Sequence, residues 1–154
     1  MTADSPSDSA TLRYSVSDNV SVLYQLYCSY LVLFRNADGE DGFLAAELLQ
    51  RSLGVLVRKF YPPVAGWFEA HDGDVDVVCY RERRNDPPFS TQVLDMDYVE
   101  IARQVRESNT ALLAPDSPPP LISDGRSAMP MLLAKATYTS DRTAAVLGIN
   151  FHHS

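Results

Sequence analysis

Positive charge, cysteine and long apolar runs are all scarce in this sequence. Its 13 Lys and Arg stand against 20 Asp and Glu, for a net charge of -7. No basic stripe interleaved with aromatics is found, so phosphate backbones repel the chain and nucleic acid is excluded as a partner. The two cysteines, Cys28 and Cys79, sit inside apolar stretches with no Cys-x-x-Cys partner and no metal-ligand spacing. They read as small buried thiols of a reduced compartment, and their spacing leaves a disulfide between them open. The apolar run Leu31-Val32-Leu33-Phe34 is strand-sized, far below the roughly 20 residues of a membrane helix. Residues 1–10 have no positive charge and no apolar centre, so neither a secretory signal nor a transit peptide is read there. The sequence-level expectation is a cytoplasmic protein with no membrane segment.

What is present is enough for one domain: 154 residues, 45% of them hydrophobic, can bury a core without dividing into two. Residues 1–12 are small and polar and are expected to be disordered. Tyr24 to Arg35, rich in Tyr, Val, Leu and Phe, predicts one long strand or two short ones. Phe43 to Phe60 predicts a helix with Asp41 as its N-cap. Its apolar face would be Ala45, Leu49, Leu53, Leu56 and Phe60, widened by Leu44, Leu48 and Val55. Gly54 weakens that helix by about 1 kcal/mol relative to Ala, and Pro62-Pro63 ends it.

Trp67 to Cys79 predicts a hairpin turning at Asp72-Gly73. His71 beside Asp72 and Asp74 admits a metal reading, but a solvated hairpin tip is the better one. The cluster Arg81-Glu82-Arg83-Arg84 reads as a solvated strand end or loop. After the break at Asp86-Pro87-Pro88, Asp97 is placed to cap a helix over Tyr98 to Glu107, buried through Tyr98, Ile101, Ala102 and Val105. The proline-rich residues 114–130 read as an extended surface crossover. Met131 to Thr139 and Ala144 to Phe151 pair as strands, with Leu132, Ala134, Ala136 and Tyr138 on one face. The pattern gives a mixed α/β (α+β) layer, a sheet covered by a long helix and a shorter one.

Two histidines, His152 and His153, follow the last strand. A bare pair at a chain end fits a frayed, solvated terminus or a tag remnant. It also fits a catalytic imidazole, the side chain best able to take and return a proton near neutral pH.

Several stretches, taken in order, decide between these. They are Ser15-x-x-Asp18, the helix running into Phe60-Tyr61-Pro62-Pro63-Val64-Ala65-Gly66, the hairpin with Asp72-Gly73 and Cys79, Pro130-Met131-Leu132-Leu133, and Asn150-Phe151-His152-His153-Ser154. Together they resemble the BAHD-type acyltransferases, and the last is similar to the opening of the His-His-x-x-x-Asp-Gly motif shared with peptide-synthetase condensation domains. Ser-x-x-Asp together with Tyr-Pro-x-x-Ala-Gly favours BAHD or fungal-type acyltransferases over condensation domains. Where that family usually has Arg after Ala-Gly, Trp67 stands here.

The resemblance implies half of a chloramphenicol acetyltransferase-like two-lobe fold, with 13–154 as the N-terminal lobe. It implies an acyl group moved from a coenzyme A thioester, a cosubstrate and not a bound cofactor, to a hydroxyl or amine of a small-molecule acceptor. His153 would be the general base and His152 its packing neighbour, with no metal. The motif aspartate would stand four residues past His153, and a C-terminal half would complete the channel. The fragment alone is then expected to be inactive, and to need that half or to self-associate. The competing expectations are a non-catalytic truncated module and a piece of a condensation domain.

Overall fold

The structure is a computed structural model that describes residues 27–71, 74–78, 86–116 and 128–152. Ser15, Asp18, the turn Asp72-Gly73, Cys79, the Arg81–Arg84 cluster, residues 117–127 and His153 lie outside the described residues. In chain order the elements are β1 (Tyr27–Arg35), α1 (Ala46–Phe60), a single 3-10 turn (Pro62–Ala65), β2 (Trp67–His71), β3 (Asp74–Val78), β4 (Phe89–Leu94), α2 (Tyr98–Arg106), α3 (Thr110–Leu113), β5 (Ala128–Pro130), β6 (Leu132–Thr139) and β7 (Ala144–His152). They form two sheets, one ordered β1-β7-β6-β4 and a smaller one ordered β3-β2-β5. The single layer expected from the sequence is therefore corrected: the short β5 leaves the crossover to join the hairpin strand β2. The mixed α/β class stands.

Strand alternation gives the larger sheet two distinct faces. Leu132, Ala134, Ala136 and Tyr138 of β6 lie opposite Phe151, Ile149, Leu147 and Ala145 of β7, and α1 covers this face. Leu53, Val57 and Ala65 pack with Leu132, Ile149 and Phe151, and Leu49 packs with Ala136, Tyr138 and Ala145. The alanines let the helix approach closely. Ala144 and Val146 face the other way and, with Leu31 and Leu33 of β1, meet Ile101 and Leu113 of the two short helices. Each large side chain fully buried there contributes about 1.5–3 kcal/mol.

α1 differs from the sequence expectation in two ways. It begins at Ala46, and Ala45 precedes it without a side-chain cap, because Gly42 (φ 76°) and Leu44 (φ 48°) are left-handed and break the helical path. Asp41 is therefore not the cap. The Tyr138 hydroxyl donates to Leu44 O at 2.6 Å and fixes that turn. The buried face is also rotated. It runs along Leu49, Leu53 and Val57, whereas Leu48, Val55, Leu56 and Phe60 stay exposed, Leu48 and Phe60 to 62% and 60%. A sheet strip lined with alanines accepts only a narrow helical stripe.

α2 follows the sequence closely. Asp97 accepts a hydrogen bond from Glu100 N–H at 2.8 Å, and Ile101 and Ala102 are buried, with Tyr98 and Val105 packed beside them. On its outer side Arg103 bonds Glu100 and Glu107. Hydrogen bonds from Arg103, and next from Gln104, hold the Glu100 carboxyl at about 2, below the usual carboxylate range. β4 is absent from the sequence reading, and it pairs parallel with β6. Parallel neighbours need a crossover, and α2, α3 and the segment after them supply it.

Candidate active site

The site is assembled on the face of β7 that carries Gly148, Asn150 and His152. At Gly148 the chain leaving α3 lies directly on the strand. A Cβ there would fall on Leu113 O, well inside van der Waals contact, and 2.9 Å from Ala114 Cα. The carbonyls of this strap are satisfied from the sheet beneath. Leu112 O accepts from Gln92 Nε2 at 2.8 Å and from Lys135 Nζ at 3.1 Å. Pro115 O accepts from Asn150 Nδ2 at 2.7 Å, and Asn150 Oδ1 accepts from Ser29 Oγ at 2.7 Å. The start of the proline-rich segment is thus buried at Ala114 and Pro115 and is not the surface connection expected from its composition. Backbone carbonyls must find donors when buried, and this polar row provides them.

Asn150, 2% exposed, ties β1, β7 and the strap together. Replacing it with leucine strips Pro115 O and the Ser29 hydroxyl of their partners. The expected cost is about 2–3 kcal/mol, read as a lower midpoint at unchanged slope in urea unfolding.

His152, two residues further on the same face, is 1% exposed. Its N–H donates to Met131 O at 2.9 Å, and Met131 N–H donates to Gly66 O at 3.0 Å. Met131 is the residue between β5 and β6, so the end of β7 is fastened at the seam of the two sheets. Across the β1–β7 ladder Tyr27 stands opposite His152. Their rings meet edge to face, with centroids 5.3 Å apart at 88°. The Tyr27 hydroxyl donates to Pro130 O at 2.6 Å. Burial pushes its pKa well above the usual phenol range, so it stays protonated and donates throughout the physiological range.

The frayed-terminus reading fails for His152, which is a buried strand residue. The structure places His152 and leaves the following residue, His153, outside the described set. His71 ends β2, away from β7 in the sheet order. Among the described residues no group of three or more His, Cys, Asp or Glu is arranged to hold a metal ion. Cys28 is half-buried with a free thiol, and no described helix is long and apolar enough to cross a membrane. Sequence reasoning overlooked Tyr27, Ser29 and Asn150. For Asn150 a signal existed: it is an amide within an apolar strand, in register with the histidine two residues on.

In sequence the chain matches no protein-family model and no curated protein. In structure it is similar to apo TRI101 of F. graminearum, with a TM-score of 0.62 and 17% identity over 94% of this chain and 35% of that one. It is similar to vinorine synthase, with a TM-score of 0.59 and 16% identity over 98% of this chain and 35% of that one. It is also similar to a condensation domain that mediates chain release from the enacyloxin polyketide synthase, with a TM-score of 0.56 and 18% identity over 99% of this chain and 28% of that one. TRI101 of F. graminearum has been captured with coenzyme A and deoxynivalenol, and that of F. sporotrichioides with coenzyme A and T-2. The fold is thus the mixed α/β acyltransferase-like fold expected from the sequence, shared with all three of these structures. The chain spans about a third of the length of these solved structures.

Proposed function

We propose that this chain is the N-terminal lobe, residues 13–154, of a coenzyme A-dependent acyltransferase acting on a hydroxyl or amine of a small molecule in a reduced, cytoplasmic setting. The observation that carries the reading is a histidine pair at the end of a central strand in a BAHD-like fold, with the first histidine buried at the seam of two sheets. Half-buried free Cys28 fits the reducing setting.

In this reading His153 takes the acceptor's proton as its oxygen or nitrogen attacks the thioester carbonyl. The tetrahedral intermediate then collapses, the C–S bond breaks, and the imidazolium returns the proton to the departing thiolate. His152 supports its neighbour by packing. The remaining lobe supplies the opposite wall of the channel, and self-association is the outcome when that lobe is missing. The likeness to a condensation domain favours a second reading, a donor delivered on a carrier protein instead of coenzyme A. The assay that tests the reading follows free thiol released from acetyl-CoA and longer acyl-CoAs, with alcohols and amines as acceptors. It uses the protein that carries this chain together with its second lobe. Acceptor-dependent release supports the proposal, and turnover confined to carrier-bound donors supports the second reading.

A further inference from the structure

We propose that Tyr27 is a positioning residue for the acyl transfer, holding His152 at the seam of the sheets and, through it, the imidazole of the residue that follows. The inference rests on the reading of His153 as general base. It is argued from three contacts that converge on one side chain. The Tyr27 backbone pairs with His152 across the ladder, its ring and the His152 imidazole meet at right angles with centroids 5.3 Å apart, and its hydroxyl reaches Pro130 O of the smaller sheet at 2.6 Å. Pro130 adjoins Met131, whose carbonyl accepts the His152 N–H. Ring, hydroxyl and backbone thus close a loop through β1, β5 and β7 around the strand end.

No aliphatic residue replaces this arrangement. Leucine would fill part of the volume but would not span the two sheets, and phenylalanine would keep the ring contact while releasing the tie to Pro130. A residue bonded to the fastened His152 starts from a backbone held at this point. A misplacement of about 1 Å at a reacting group costs on the order of 100-fold in rate.

The test compares Tyr27→Phe and Tyr27→Leu with the wild-type protein by amide hydrogen exchange at His152 and, as reference, at Val146 in the middle of β7. Tyr27→Leu is expected to speed exchange at His152 on the order of tenfold with Val146 unchanged, and to lower kcat about 100-fold at unaltered KM. Tyr27→Phe keeps the ring contact and releases only the tie to Pro130, and is expected to speed exchange at His152 about threefold with Val146 unchanged, which keeps the test decisive if the leucine variant does not fold. Unchanged exchange at His152, equal acceleration at Val146, or a loss expressed wholly in KM overturns the proposal. Full activity of His153→Ala would instead overturn the base reading and the catalytic part of this proposal, while leaving the exchange result in place.

Discussion

Replacing His153 with alanine is expected to lower acyl transfer about 10²–10⁴-fold, the range that a single general base contributes. The loss should fall on kcat, with KM for the acyl-CoA little changed, because the imidazole acts on the proton of the acceptor and not on the coenzyme. Stability is also expected to change little, as for a residue whose role is to move a proton and not to pack. His152→Ala makes the natural comparison. That side chain is 1% exposed and packed against Tyr27, so its removal opens a cavity and lowers stability by about 2 kcal/mol or more. Steady-state kinetics and urea unfolding on both variants separate a chemical role at one position from a packing role at the next. Equal effects of the two substitutions on both quantities would contradict that division.

Gly148→Ala is expected to be strongly destabilising. The added Cβ meets Leu113 O and Ala114 Cα, both backbone atoms, so no side chain can swing away. The strap must lift, and lifting it breaks the bonds from Gln92, Lys135 and Asn150 to its carbonyls. Overpacking and unsatisfied buried carbonyls together predict a loss of about 3 kcal/mol or more. Gly54 provides an internal contrast. A Cβ there meets the carboxylate of Asp86, a side-chain terminus that also bonds Arg58. That carboxylate can move aside, and alanine gains about 1 kcal/mol of helix propensity. Gly54→Ala is therefore expected to be near neutral. Thermal unfolding of the two variants should show a large decrease for Gly148→Ala and almost none for Gly54→Ala, and the reverse order would refute the account of the strap.

Elements whose own pattern matches their burial could be read from the sequence. β6 and β7 are runs dominated by apolar and strand-forming residues, and α2 carries both its cap and its stripe. β4 escaped because Gln92 holds an inward position on its second face, where it bonds Thr137 and the strap. An amide there erases the apolar alternation that marks a half-buried strand. α1 is legible as a helix, and Leu49 and Leu53 of its expected face are packed, but a helix that is apolar on several sides does not announce how wide a stripe the sheet accepts. Leu56 and Phe60 extend the pattern yet remain outside, and Val57 was passed over although it is 2% exposed. The site divides in the same way. His152 and His153 stand out by residue type and position, whereas Tyr27, Ser29 and Asn150 acquire meaning only from long-range register. β5 shows the same limit, because a strand of three residues at the end of a proline-rich segment is defined by its partner β2 and not by its own composition.

Acyl transfer from coenzyme A is proposed for the protein that carries this fold. The most direct measurement is thiol release from acetyl-CoA by the protein that contains this chain and its second lobe, in the presence and absence of acceptor alcohols and amines. Release is expected to depend on acceptor and to match acylated product one for one. No release above the uncatalysed rate with any acyl-CoA, from a folded protein, would contradict it.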